Sequence, residues 1–538
     1  MSCGDLCTPT SGGGTFVPLS ALTIGPPQAG KIPALTTRVL GTVPRDECVH
    51  PMGEFENDVQ LIELDGGYFC LNHALRQQQI YGDARLRDEA SRVLQGLPPL
   101  NEELRQVMEA QGFLASTGAD KNAYRAELAE RESQRVESDV DFSLLRILLT
   151  DFCNLKCDYC KVVQNVATPQ KAPTGLDRLT EVIEYFFSSS TAEKPKIIHC
   201  TGGEPTLHWP EIVHLLSEKR RLSRPGENCW VVIGTNATLI TPARAKLLAE
   251  NNAKCIVSMD GTEEVHDLLR PNHANRGSWK QVDRGIRMLK DAGVEVSISA
   301  VFGKHNLPMA DEIIEFFMDS YAPTGMGVNF MKPPTPEQRD YAYLIEGEDY
   351  AETLYRIHQT WRDRGLFLEL VHRKLDPFVS REYRFHDCGA AGGANINLDA
   401  KGKVGPCKSF LVMDKLVIED LDGSDYSDNV LSKWRMRSPI YYDHCDGCAA
   451  RGMCGNGCAY DAFVNHGDEM AIDERSCEYT KRFNDLMLRD LFDLAGGAER
   501  ADSEGWFGIR DEERRIVMGA VAAVPNSLSY SIGHHSNS

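Results

Sequence analysis

From residue 143 onward the chain alternates short apolar runs with amphipathic stretches of helical period. The runs are 143–149, 196–200, 230–234, 254–259, 295–301 and 326–331. Between them, over 176–188, 242–251, 277–292 and 308–319, apolar residues return every three or four positions. A short run that is apolar throughout fits a strand buried on both faces, as in parallel sheets covered by crossover helices. Six β–α repeats predict an α/β fold with a partial, open (β/α)6 barrel, two units short of the closed form. Its reactive face is the C-terminal edge of the strands, where the loops converge.

The flanks read differently. Residues 1–44 are rich in Gly, Pro, Ser and Thr and predict a flexible lead-in. Residues 45–140 predict an α+β domain. Val59–Leu64 and Gly66–Leu71 are strands joined by an Asp-Gly-Gly turn, and helices follow over 84–95 and 101–112. The charged stretch 119–138 reads as an exposed helix or linker. The barrel spans 141–335, a partly helical linker 336–385, and a cysteine-rich, loop-rich module 386–494 that ends in a helix over 478–494. Residues 495–538 read as a C-terminal tail.

At 538 residues the chain is too long for one core. No apolar stretch approaches the ~20 residues of a membrane span, and the N-terminus lacks signal-peptide character, so a cytoplasmic location is the expectation, with no membrane partner. A formal charge of −20 without a basic block argues against nucleic acid. Seventeen cysteines in a leaderless chain point to metal rather than to disulfides. Seven of them (Cys3, Cys7, Cys48, Cys70, Cys200, Cys229, Cys255) are scattered and read mostly as small buried hydrophobes.

The other ten carry the chemistry. Cys153-x3-Cys157-x2-Cys160 follows the first strand, so three thiolates leave one iron of a cubane open. A zinc knuckle would need a fourth ligand, and Asp151 and Asp158 are poor ones. The second strand runs into Thr201-Gly202-Gly203-Glu204-Pro205. Two glycines allow close backbone approach to a ligand, and a carboxylate can accept from an ammonium. The third strand leads to Gly234-Thr235-Asn236-Ala237-Thr238, the fourth to Ser258-Met259-Asp260-Gly261, with Arg270 beyond.

The cysteine loop, with Tyr159 before its last cysteine, resembles the radical S-adenosylmethionine (SAM) signature. The resemblance implies a SAM-binding [4Fe-4S] cluster on Cys153, Cys157 and Cys160, and reductive cleavage of SAM to a 5′-deoxyadenosyl radical. It implies SAM contacts from Tyr159, Gly202, Gly203, Glu204 and Pro205, with Glu204 at the methionine amino group. Asn236, Ser258 and Arg270 are further candidates; Asn236 and Ser258 could equally stabilise their loops, and Asp260 could cap a helix.

The later order, Cys388, Gly402-x4-Cys407, Cys445-x2-Cys448-x5-Cys454-x3-Cys458 and Cys477, resembles the SPASM extension of radical SAM enzymes. By analogy Cys445, Cys448, Cys454 and Cys477 hold one auxiliary iron–sulfur cluster, and Cys388, Cys407 and Cys458 hold another. The second set is one ligand short, so an open iron, His386, substrate, water or a smaller cluster would complete it.

SPASM proteins mostly modify peptides or proteins, with flavodoxin or ferredoxin as reductant. One reading is a maturase of ribosomally made peptides, forming a cross-link or other oxidation, or an epimer. Residues 45–115 resemble leader-recognition domains, which add a peptide strand to a sheet edge; the alternative is a plain packing domain. The other reading is an anaerobic sulfatase maturase making formylglycine; there an Asp follows the G-x4-C cysteine, whereas Lys408 stands here. A non-catalytic iron–sulfur carrier is a third, disfavoured because a carrier needs neither the open loop nor Glu204. The catalytic base stays unassigned.

Overall fold

The computed structural model describes residues 54–95, 97, 101–115, 120–137, 141–162, 172–191, 193–418, 421 and 432–520. The expected lead-in 1–44, the end of the tail, and Cys3, Cys7 and Cys48 lie outside the described residues.

The strands are β1 (Glu54–Phe55), β2 (Val59–Glu63), β3 (Phe69–His73), β4 (Gln78–Gly82), β5 (Leu114–Ala115), β6 (Leu144–Leu148) and β7 (Lys196–Thr201). They continue with β8 (Cys229–Thr235), β9 (Lys254–Ser258), β10 (Val296–Phe302), β11 (Met326–Phe330), β12 (Asn395–Leu398), β13 (Val404–Gly405) and β14 (Trp506–Gly508). Strands β6 to β11 lie side by side in sequence order, all parallel, as the six repeats predict.

The alternation within these strands sorts their residues into two faces. Leu145, Ile147, Ile198, Cys200, Val231, Ile233, Cys255 and Val257 join the large core under the crossover helices. Leu144, Ile197, Val232 and Ile256 point the other way and form a separate plug on the concave side. Fully burying one such side chain contributes about 1.5–3 kcal/mol, so the plug alone is worth several. Two residues on, at the same face, stand Arg146, His199, Gly234 and Ser258; two further on are Leu148, Thr201, Asn236 and Asp260. The concave side therefore turns from apolar to polar toward the strands' C-terminal ends.

Two features depart from the pattern-based reading. The sheet has eight strands, because β12 pairs parallel to β6, with Asn397 opposite Arg146, and β13 returns antiparallel. Short strands such as Asn395–Leu398, half polar, carry too little periodicity to be seen in sequence. The sequence also places 495–538 in a tail, but Trp506–Gly508 pairs with β4 and completes an antiparallel sheet of order β14-β4-β3-β2. Phe507 is buried there, in aromatic contact with Tyr81 and Phe492.

The helix Ala123–Glu137 is less exposed than its charge suggests: Leu128 and Glu132 are fully buried, the latter bonded to His386. Helices Gly347–Trp361 and Glu474–Leu494 pack along each other and support the cysteine module. Among the described residues no helix is long and apolar enough to cross a membrane.

Candidate functional site

The loop after β6 carries Cys153, Cys157 and Cys160 and is pinned from across the barrel. Lys156 N donates to Pro271 O at 2.7 Å, Asp158 N to Leu269 O at 2.9 Å, and the His273 ring meets Cys153 O at 2.8 Å. Burial pushes the Cys157 thiol up to about 12 and Cys153 still higher, and the neighbouring thiols add to both. Sulfurs so reluctant to ionise become thiolates when a metal takes the proton's place.

Gly202 and Gly203 have a reason the sequence does not reveal. Gly202 has φ of +129°, and a Cβ there would lie 2.5 Å from Thr150 O. At Gly203 a Cβ would lie 2.1 Å from Phe152 O. The backbone that approaches them is the start of the cysteine loop: Gly203 N donates to Thr150 O (2.6 Å) and Glu204 N to Phe152 O (2.9 Å). Both glycines give room to the neighbouring loop.

Glu204 is buried and already engaged. Its Oε1 accepts from Thr206 N (3.1 Å), Thr235 Oγ1 (2.6 Å) and Thr206 Oγ1, and Oε2 from Asn236 N (2.7 Å). Burial raises its pKa, and these donors hold it down against that trend. The carboxylate thus ties the ends of β7 and β8, keeping one lone pair on Oε2. Pro205 opens a buried 3-10 turn, Pro205–Leu207. Asn236 extends the tie: its Nδ2 reaches Asn154 Oδ1 (2.9 Å) and Cys153 Sγ (3.8 Å).

A second knot sits at the end of β9. Arg270 donates twice to Asp260, at 2.8 and 2.9 Å, and Tyr159 OH donates to the same carboxylate at 2.5 Å. Val301 N adds a bond at 2.9 Å. Burial opposes charge on Asp260, but Arg270 holds its pKa below the usual carboxylate range; Arg270 also lowers Cys157. Tyr159 and Arg270, read as cofactor contacts, are brought together, though their polar atoms serve the loop's position. Ser258 faces the concave side, half-buried, opposite Ser299. Asp260, first read as a possible helix cap, is the hub of this knot; its buried charge has no sequence signal beyond lying at a strand end.

The later cysteines form two groups. Cys445, Cys448, Cys454 and Cys477 line one cavity with Lys481, Arg451 and Asp473, and burial followed by the neighbouring thiols raises Cys445, Cys448 and Cys477. Among the described residues no three His, Cys, Asp or Glu side chains converge on a point where one ion could sit. Four thiols on one cavity are a donor set that a four-iron cluster takes, and structural zinc takes the same set.

Cys388, Cys407 and Cys458 pack around a second, small apolar cluster that includes Phe410, Trp434 and Tyr460. His386 is engaged through one ring nitrogen: its Nε2 meets Glu132 at 2.7 Å, and the charges acting on it are Glu132, Arg135 and Arg435. Near the trio stand residues that the motifs did not flag. Lys161 bonds Asp461 at 3.3 Å, and Lys332 bonds its other oxygen. Arg146 Nε lies 3.5 Å from His199 Nδ1. Lys408 is accessible yet surrounded by protein, with its pKa lowered to about 8 by burial and by Arg146.

Residues 147–317 match the family profile described as the Radical SAM superfamily. A cysteine-type anaerobic sulfatase-maturating enzyme of Clostridium perfringens is 26% identical over 320 residues, covering 57% of this chain and 85% of its own. The radical SAM cyclopropyl synthase TigE of Paramaledivibacter caminithermalis is 22% identical over 427 residues, covering 75% of this chain and 85% of its own. The solved structure "Native anSMEcpe with bound AdoMet" superposes with a TM-score of 0.57 at 20% identity, over 66% of this chain and 99% of the other, a likeness of fold.

Proposed function

We propose that this chain, which carries a radical SAM domain over residues 147–317, is a maturase of a ribosomally made peptide or protein. The superfamily binds SAM and a [4Fe-4S] cluster; when bound, the cluster supplies an electron and SAM the group that abstracts a hydrogen atom. Cys153, Cys157 and Cys160 would hold that cluster. The observation that carries the reading is the double lock on their loop, by the Gly202–Glu204 turn from one side and by Asp260 with Arg270 and Tyr159 from the other. Glu204 would offer its remaining lone pair to the methionine ammonium, and Ser258 and the concave polar layer would line the space for substrate. Tyr159, Gly202, Gly203, Pro205, Asn236 and Arg270 would shape the SAM site chiefly by fixing these loops.

The two later groups would hold auxiliary clusters: Cys445, Cys448, Cys454 and Cys477 the outer, Cys388, Cys407 and Cys458 the inner. Such centres would take up the electron left when a substrate radical becomes an oxidised product. The relative named as a cyclopropyl synthase spans three quarters of this chain and supports modification at an unactivated carbon. The sulfatase-maturase relatives support formylglycine formation as a second reading. Lys408, where that reading calls for an acidic base, favours the first.

The test is anaerobic reconstitution, reduction and addition of SAM. 5′-Deoxyadenosine should form, and should vanish in Cys157→Ala. Its absence from iron-loaded wild type would overturn the enzyme reading. Co-expression with short peptides encoded nearby, followed by mass spectrometry, separates oxidation or cross-linking (loss of two mass units) from epimerisation (no mass change).

A further inference from the structure

The charges around the two later cysteine groups differ, and nothing in the proposed reaction uses the difference. Around Cys458 and Cys407 lie four cations: Lys161 and Lys332, which share Asp461, and Arg146 and Lys408, which have no carboxylate partner among the described residues. Asp461 and Asp473 are the carboxylates there; Asp473 Oδ2 accepts from Cys458 N at 3.0 Å. Around the outer four, Arg451 is bound to Asp58 (3.2 Å) and Asp446 (3.0 Å), with further bonds to Pro439 and Ile440 carbonyls. Lys481, one helical turn after Cys477, is the other cation lining that cavity, and Asp473 lines it too. Cations outnumber carboxylates around Cys458 and Cys407, and the reverse holds at the outer group.

We propose that Lys161, Lys332, Arg146 and Lys408 set the inner auxiliary site at a higher reduction potential than the outer one. This rests on the reading of both groups as iron–sulfur sites. Adding an electron adds negative charge, so nearby cations favour the reduced form, and surroundings of this kind are among the levers that set such potentials. The shorter thiolate count of the inner trio acts in the same direction. Burial acts against it by disfavouring the extra charge. Lys161 and Lys332 keep 22% and 28% of their side chains exposed and Lys408 is exposed, so solvent screens these charges in part; four cations against two carboxylates around Cys458 and Cys407 still favour the reduced form. The consequence is directional: the inner site, beside the concave face, is the first resting place for an electron, and the outer site is reached only after it is filled.

The experiment uses the full chain with Cys153, Cys157 and Cys160 changed to Ala and the auxiliary sites reconstituted, titrated potentiometrically and read by electron paramagnetic resonance. Two reduction waves are expected, and the higher should disappear in Cys388→Ala. Their separation should exceed tenfold in the reduction equilibrium, about 59 mV for one electron. Lys332→Met should lower the higher wave by at least threefold and leave the lower unmoved, while Lys332→Arg restores it; Arg146→Gln serves as a second variant should Lys332→Met misfold. An inner wave at or below the outer, or one unmoved in both charge variants at full iron content, would overturn the proposal. Iron for a single cluster in wild type would instead overturn the reading on which it rests.

Discussion

Replacing Gly203 with alanine tests the lock between the cysteine loop and the second strand. A methyl group there would sit 2.1 Å from Phe152 O and 2.5 Å from Phe152 C, and both are backbone atoms that no rotamer change can remove. Relief requires the loop to move away, which breaks Gly203 N to Thr150 O and Glu204 N to Phe152 O. Two net hydrogen bonds at about 0.5–1.5 kcal/mol each, and overpacking of about 1–3 kcal/mol, give a loss of about 2–6 kcal/mol. Because the displaced residues run directly into Cys153, iron binding should suffer more than the rest of the fold. Gly234→Ala is the control: its methyl would meet the tip of the His199 ring at 2.8 Å, which can swing aside. The midpoint of urea unfolding at constant slope measures stability, and iron content after reconstitution measures the site. If Gly203→Ala matched wild type in both, the two glycines would not be there to admit the neighbouring loop.

Three further outcomes follow from the packing. Asp260→Ala strands Arg270 in the interior and should cost about 3–5 kcal/mol, with Tyr159 and the cluster loop loosened; urea unfolding and the yield of 5′-deoxyadenosine check it. Burial lowers the pKa of His266 and His358 to about 3 and of His372 to about 4. Unfolded imidazoles protonate near 6.5, so stability is lost as pH falls below that value, by about 4 kcal/mol for the three together at pH 5.5. Urea titrations of the iron-free protein from pH 7 to 5 would show this, and His358→Gln should remove about a third of the slope. Phe507→Ala empties an aromatic site between Tyr81 and Phe492 and should cost about 3–5 kcal/mol, visible as a lower midpoint.

Much of this was legible in the residues. Apolar runs buried on both faces announce parallel strands, and all six came out within two residues of their patterns. The resemblance to the SPASM extension likewise implies the grouping of the later thiols that the cavity and the Phe410 cluster show. What stayed hidden depends on partners remote in sequence. Asp260 matters because Tyr159 lies 101 positions away, and Lys332 because Asp461 lies 129 away. The strand Trp506–Gly508 is too short to carry a period, and only its place beside β4 makes it a strand. The glycines of 202–203 stand out in the sequence, but the loop that packs against them does not.

The pairing of β12 with β6 makes the cysteine-rich region a continuation of the barrel rather than an attached cassette. Cys388 and Cys407 flank the hairpin of β12 and β13, so where they stand relative to Cys160 is fixed by how Asn395–Leu398 aligns with Leu144–Ile147. A slip of one residue would turn Ile396 and Leu398 out of the core and carry both sulfurs with them. Exchanging this region with that of a relative would therefore succeed or fail on the match of one four-residue ladder, well before any question of which metals the exchanged piece can bind.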